Sequence, residues 1–293
     1  MAGESGGSAG PPLEPAAVAR RSRLLDFGGA RGGVGIALVS TLVVFVGLGV
    51  LITHASGWPE VKDTFFNWHQ FKSSFPEIAR AFKLNVKIFL IAEALILPFA
   101  LFIAVLRSLP GPVFFPLRLI AIAYADLFRG VPTILVIAVL GFGAPTLQLS
   151  GVPTSVTFWA IVALVLVYGA YVSEVYRAGI ESVHPSQEAA ARSLGLTRLQ
   201  GLRHVILPQA VRRVIPPLLN DFIGLQKDTA LVSILGAVDA FNQASIDTNA
   251  TFNYTPYLAA ATLFIAITIP LARFTDWLIL RDRRRRQAAG VVA

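Results

Sequence analysis

The run LNVKIFLIAEALILPFALFIAVL at 84–106 decides the fold class. An α-helix rises about 1.5 Å per residue and the hydrocarbon core of a bilayer is about 30 Å thick, so about 20 consecutive apolar residues cross it. This run is long enough, and only Lys87 and Glu93 interrupt it with charge. The same test selects 32–53 and 258–280, and also 154–175 up to its polar end. Two further segments are weaker. Arg129, Gly130 and Pro132 break the one at 120–149, and Gln226, Lys227, Asp228 and Thr229 break the one at 217–238. The pattern predicts an all-α membrane protein with six transmembrane helices.

Composition agrees. Over 293 residues the chain is 55% hydrophobic and 14% charged, with mean hydropathy +0.65, far more apolar than an ordinary soluble domain. Cysteine is absent, which excludes disulfides, thioether-linked haem and zinc ribbons. The net charge of +8 does not point to nucleic acid, because the excess arginine lies in short stretches between apolar segments or at the ends.

Retained inner loops carry the excess of Lys and Arg, and alternating six helices from a cytoplasmic N-terminus satisfies this rule. The inner pieces then hold Arg20, Arg21, Arg23 and Arg31, then Arg107, Arg118 and Arg129, then six arginines from Arg177 to Arg213, and five from Arg281 to Arg286. The outer pieces hold four basic residues, all between His54 and Lys83. Both termini are therefore expected in the cytoplasm. Residues 1–31, rich in Gly, Ser, Ala and Pro, are expected to form a disordered cytoplasmic tail, and 281–293 a basic one. A cleaved signal peptide is the rival for the first apolar run, which exceeds the usual h-region of about 7–15 residues.

Charge at the centre of a membrane helix costs at least about 2.5–3.5 kcal/mol, so such residues face a partner or a wet cavity. Lys227 and Asp228 are expected midway along their helix, with Thr229 and Gln226 adding polarity. Neighbours on a helix point about 100° apart, so one of the two charges would line a pathway and the other tie the helix to a neighbour. A zwitterion needs a cation for its carboxylate and an anion or carbonyls for its ammonium, and Lys227, Asp228 and Thr229 offer both. A structural ion pair is the alternative. Tyr168, Tyr171 and Glu174 follow one another at three-residue spacing along one helix face. Arg177 could pair locally with Glu174, against a pathway or gating role for Tyr171 and Glu174. Lys87 reads as an interfacial anchor, Glu93 has no evident use, and Arg273 with Asp276 reads as a surface pair.

Enzyme signatures are missing. There is no G-x-x-x-x-G-K-[ST] phosphate loop. His54, His69, His184 and His204 lack metal-ligand spacing, so no catalytic or metal residues are assigned.

The segment from Arg177 to Arg213 is long enough for two short helices. Ser186 is a plausible N-cap for a helix over 186–194 built on Ala189, Ala190 and Ala191, and Gly195 stops it. A second short helix is expected over 199–206, ending before Pro208.

Here the chain resembles the permeases of ATP-binding-cassette importers, in the branch that handles histidine, glutamine, glutamate, arginine, opines and related polar amino acids. Ser186 to Gly195, then nine residues and Val205-Ile206-Leu207-Pro208, looks like the family's E-A-A…G…I-x-L-P loop. Arg129-Gly130-Val131-Pro132 resembles its R-G-T-P. Ala170 to Arg177 resembles its A-Y-x-x-E-x-x-R, and Lys227-Asp228-Thr229-Ala230-Leu231 its K-D-T-S-L. The loop departs in two respects: Ala189 stands where the family has its glutamate, with Glu188 one place earlier, and Ser186 stands where glycine is common.

The resemblance implies a five-helix permease domain over 84–280, with the helix and outer loop of 32–83 as an addition. It implies that Glu188, Ala189, Ala190, Gly195, Leu207 and Pro208 belong to a coupling loop docking on separate ATPase subunits. ATP and Mg would reside on that ATPase dimer, and this chain would bind no cofactor. A second permease subunit, identical or homologous, and an extracytoplasmic amino-acid-binding protein complete the expected partners, in a bacterial cytoplasmic membrane. The rival readings are a permease for another small solute, a secondary transporter or channel, and a membrane-anchored enzyme.

Overall fold

The computed structural model describes residues 30–109, 111–148 and 150–288. The tail expected at 1–31 lies outside the described residues except for its last two positions, as do residues 289–293 of the basic tail. Every regular element among the described residues is helical. The chain divides into two compact units, residues 1–62 and 63–293.

In the first unit, α1 (Ala30–Thr53) is apolar on every side, so it has no polar stripe to turn toward water. The boundary between the units falls within α2 (Trp58–Phe65).

The second unit continues with α3 (Trp68–Ser108), α4 (Phe115–Gly130), α5 (Thr133–Thr146), α6 (Val156–Glu181), α7 (Pro185–Ser193), α8 (Arg198–Gly201), α9 (Leu207–Asp228), α10 (Ala240–Thr251) and α11 (Thr255–Ala288). A π turn, Leu202–Ile206, precedes α9, and a 3-10 turn, Thr229–Leu235, follows it. By length and composition four helical stretches can cross a membrane: Gly35–Thr53, Trp58–Ser108, Val156–Glu181 and Thr255–Arg281. Two bent pairs bring the number up to six: α4 with α5, turned by 103°, and Leu202–Leu235 with α10, turned by 52°.

Three features differ from the sequence reading. The expected outer loop at 54–83 is largely helical. Asn67 caps α3 by accepting a hydrogen bond from the Gln70 N–H, and α3 then runs 41 residues. Lys72, Arg80 and Lys83 dilute its hydropathy without breaking the helix.

The loop helix α7 starts one residue early. His184, not Ser186, is its N-cap, its Nδ1 accepting from the Ser186 N–H at 3.2 Å, with Pro185 in the first turn.

Pro208 opens a helix instead of ending one. It sits in the first turn of α9, where an absent N–H leaves no bond unmade, and the π turn before it carries the helical path straight through.

The core forms around α6, whose small and branched residues Ala160, Ala163, Leu164 and Val167 are fully buried against Ile88, Ala92 and Ile96 of α3 and Ile137 of α5. In a bilayer the tails are as apolar as leucine, so close packing of small residues holds helices together. A β-carbon on Gly169 would strike the Phe99 ring, and one on Gly179 would strike Val214, so α6 meets α3 and α9 at backbone range. A second cluster joins Ile78 and Phe82 of α3 to Ala240 and Ala244 of α10 and Ala259 and Ala260 of α11.

Candidate functional site

The Lys227 segment lies where α9 gives way to the 3-10 turn, and not at mid-helix as the hydropathy pattern suggests. Asp228 is the last α-helical residue, and Gly236, at φ +77°, ends the turn with a conformation that a β-carbon disfavours. Lys227 therefore occupies the last turn of an α-helix, where the helix dipole favours a cation.

Its neighbours are fastened. The buried Gln226 accepts a hydrogen bond from Thr268 of α11 at 2.8 Å. The Tyr168 hydroxyl donates to Asp228 Oδ2 at 2.9 Å, which ties the segment to α6. Thr229, 1% exposed, donates to the Gln226 carbonyl and accepts from Asn85 Nδ2 at 3.4 Å.

Asn85 extends this network. It donates to Asp239 Oδ2 at 2.8 Å and accepts from the Ala240 N–H at 3.0 Å, while Asp239 Oδ1 caps α10 through the Asn242 N–H. With Gln226, Asp228 and Thr229 turned to protein, Lys227 is the exposed side chain of the four. Further along the chain, a cavity of about 430 Å³ opens between Ile134 of α5, Ala230, Ser233 and Ile234 of the 3-10 turn and Phe241 and Asn242 of α10; Lys227 does not line it.

Glu174 and Tyr171 lie toward the far end of α6. Tyr171 is exposed and its hydroxyl reaches the Arg129 carbonyl at 3.4 Å. Glu174 Oε1 accepts from Arg107 at the end of α3, with Arg129 of α4 at 3.6 Å. Its Oε2 accepts from Arg177 Nε at 3.0 Å and Nη2 at 2.8 Å. Arg177 also reaches Glu181. The local pair expected from sequence is thus one contact of three, and the cluster joins α3, α4 and α6.

The loop beyond α6 is a projecting elbow. Gly195, at φ +79°, closes α7: its N–H bonds to the Arg192 carbonyl, and the Leu196 N–H to that of Ala191. Ala189, Ala190, Leu207 and Pro208 are exposed, and Leu194 is 82% so. Glu188 pairs with Arg192 one turn on. Gln209 reaches back to Gln187 at 3.4 Å, which links the start of α9 to α7.

Sequence reasoning missed Asn85, Asp239, Arg107 and Asp221 as site residues. Asn85 was the legible one, as a neutral polar residue inside an apolar run. Asp221 on α9 keeps a buried carboxylate oxygen with no hydrogen bond among the described residues. It lies within electrostatic reach of Glu93, beside the edge-to-face pair Phe89 and Phe222. Among the described residues no three His, Asp or Glu side chains come together to hold a metal ion.

The sequence pattern of the family described as "Binding-protein-dependent transport system inner membrane component" matches residues 96–284. The chain is 36% identical over 169 residues to "Probable glutamine ABC transporter permease protein GlnM" of Bacillus subtilis (strain 168), covering 57% of this chain and 76% of that one. It is 34% identical over 206 residues to "Probable amino-acid permease protein YxeN" of the same organism, covering 69% and 90%. Among solved structures, one described as "Crystal structure of an amino acid ABC transporter with histidines" superimposes with TM-score 0.64 at 30% identity, over 75% of this chain and 98% of that one. A methionine ABC transporter in an inward-facing conformation shares the fold, with TM-score 0.55 at 17% identity over 70% and 95%.

Proposed function

Since the chain belongs to the family of inner membrane components of binding-protein-dependent transport systems, we propose that it forms the transmembrane pathway of an ATP-driven importer for polar L-amino acids. The observation that carries this reading is the fastened helix end at Gln226–Thr229, where three polar side chains are tied to protein and one cation, Lys227, is left exposed. A substrate carboxylate can meet that cation at low reorganisation cost, because the surrounding polar groups are already paired. Asp228, Thr229 and Tyr171 shape the route, and Glu174 fixes its inner end.

The chain contributes no covalent step. ATP and Mg bind a separate ATPase dimer, which docks on the elbow at 186–208 and biases the permease between inward and outward arrangements. The exposed Ala189, Ala190 and Leu194 make a small apolar knob suited to a groove. In this reading six spans cross a bacterial cytoplasmic membrane with both termini inside. A second permease subunit, identical or homologous, closes the pathway, and an extracytoplasmic binding protein delivers the amino acid.

Radiolabelled amino-acid uptake in proteoliposomes carrying permease, ATPase and binding protein tests it. Lys227→Ala should cut uptake at least about tenfold, the effect of losing one charge-assisted hydrogen bond, while ATPase still co-purifies. Unchanged uptake by that variant rejects the Lys227 assignment.

A further inference from the structure

The end of α9 is tied to three other helices, and the ties are not equivalent. Thr268 of α11 holds the Gln226 side chain, and Tyr168 of α6 holds Asp228. Both of these fix α9 alone. Asn85 of α3 is bound on both sides of the bend between α9 and α10. Its Nδ2 donates to Thr229 Oγ1 at 3.4 Å and to Asp239 Oδ2 at 2.8 Å, and its Oδ1 accepts from the Ala240 N–H at 3.0 Å. Thr229 is the first residue of the 3-10 turn and Ala240 the first of α10, so one side chain spans the whole connection.

The connection needs such a brace. It turns the chain by 52° through a 3-10 turn, whose hydrogen bonds are poorer than those of an α-helix, and then through Gly236 at φ +77°. Val232 and Leu235 anchor the middle of the turn in the core, but apolar contacts are non-directional, so directional bonds to both limbs are what fix the angle.

The residue type at 85 follows from this position. A planar amide donates twice and accepts at the same time. An aspartate there would face Asp239 with like charge, and an apolar side chain would leave the Ala240 N–H and one Asp239 oxygen unpaired. Asn85, Thr229 and Asp239 are each at most 1% exposed, so water offers no ready substitute.

The brace also reaches Lys227. While Thr229 Oγ1 accepts from Asn85, it donates to the Gln226 carbonyl at 2.8 Å, which belongs to the peptide joining Gln226 to Lys227. We infer that Asn85 is a positioning residue for transport: by holding the α9–α10 bend it fixes where Lys227 presents its ammonium to the substrate carboxylate. Buried as it is, Asn85 touches no substrate. This inference rests on the role proposed for Lys227 above.

The chain has no cysteine, so a nitroxide on Lys227→Cys reports on that position alone, in the purified permease–ATPase complex and without measuring transport. Adding Asn85→Ala should mobilise the label at 227. A label on Arg273→Cys, an exposed position of α11 outside the site, should keep its spectrum. Equal spectra at 227 with and without Asn85→Ala overturn the inference, and so does loosening at both positions, which would make Asn85 a general structural residue. Uptake in proteoliposomes supplies the functional half, with the best transported of radiolabelled L-glutamine, L-glutamate, L-arginine and L-histidine. Asn85→Ala should lower uptake about fivefold, the effect of one lost hydrogen bond. In a Lys227→Ala background it should lower uptake less than about twofold, because the cation it places is gone. A fivefold loss that persists in that background overturns the inference. If Asn85→Ala loses the ATPase and so fails to assemble, Thr229→Val keeps the shape and cuts only the leg toward Lys227, leaving Asp239 and Ala240 paired. It should also mobilise the label at 227, and an unchanged spectrum would overturn the inference equally. Absence of uptake of all four amino acids by the wild-type complex would reject the transport reading, whereas the label at 227 tests the brace by itself.

Discussion

Glu174 shows how a single side chain carries more than its local sequence suggests. Its carboxylate pairs with Arg107 and Arg177 and draws in Arg129, and the Arg107 side chain is only 11% exposed. Removing one partner from a buried ion pair leaves an uncompensated charge, at a cost of about 3–5 kcal/mol. Glu174→Gln should therefore lower the thermal unfolding midpoint of the detergent-solubilised complex, with a cost near the lower end of that range because Arg129 and Arg177 remain partly solvated. The double variant Arg107→Gln with Glu174→Gln should recover part of the loss, since the most deeply buried of the stranded guanidinium groups is then gone. Equal midpoints for single and double variants would show that Arg107 does not depend on Glu174. Of this cluster, only Arg177 was legible in the sequence, three residues away on the same helix. Arg107 lies 67 residues off, and a charge pattern cannot reveal which distant arginine folding brings to a given carboxylate. The same holds at the other site. Composition flagged Lys227, Asp228 and Thr229 as costly in lipid, but the split between one exposed cation and two fastened neighbours depends on Tyr168 and Asn85, which belong to other helices.

Hydropathy located the helices because membrane crossing imposes a length, and it failed wherever a helix continues outside lipid or bends within it. The polar first turns of α3 carry no such length signal, although the Asn67 cap does mark their start. The 103° turn between α4 and α5 was visible only as the Gly130 and Pro132 interruption, which gives a break but no angle. Packing between elements is the level at which small residues act. Gly179 lets α6 approach α9 so closely that an added β-carbon would strike Val214. Overpacking of this kind costs about 1–3 kcal/mol. Gly179→Ala should destabilise the complex by that order in thermal unfolding, and Val214→Ala in the same chain should relieve most of the strain. If the double variant is as unstable as the sum of the two single ones, the contact is not the cause.

At the scale of the whole molecule, the family pattern lies on one side of the division at residue 62. The family pattern spans 96–284, inside the second unit, and both buried clusters draw only on residues beyond 70. The polar contacts around Lys227 and Glu174 likewise come from residues 85–268. By contrast, no residue of the apolar span Gly35–Thr53 is buried. A chain beginning at Asp63 should therefore fold, insert and support ATP-dependent uptake at a rate within about twofold of the full chain, a change below about 0.4 kcal/mol, since the family pattern, the buried clusters and the polar contacts of both sites all draw on residues it keeps. The Thr64 and Asp63 carbonyls, which accept from the Tyr254 N–H and the Asn253 side chain, remain in that shortened chain, so the join between the start of the second unit and the turn before α11 is preserved. Uptake by the shortened complex in proteoliposomes, normalised to the amount of ATPase it retains, reads the outcome directly. A loss of transport with ATPase retained would assign the first unit a part in the transport cycle, whereas a loss of both would mean that α1 is required for assembly.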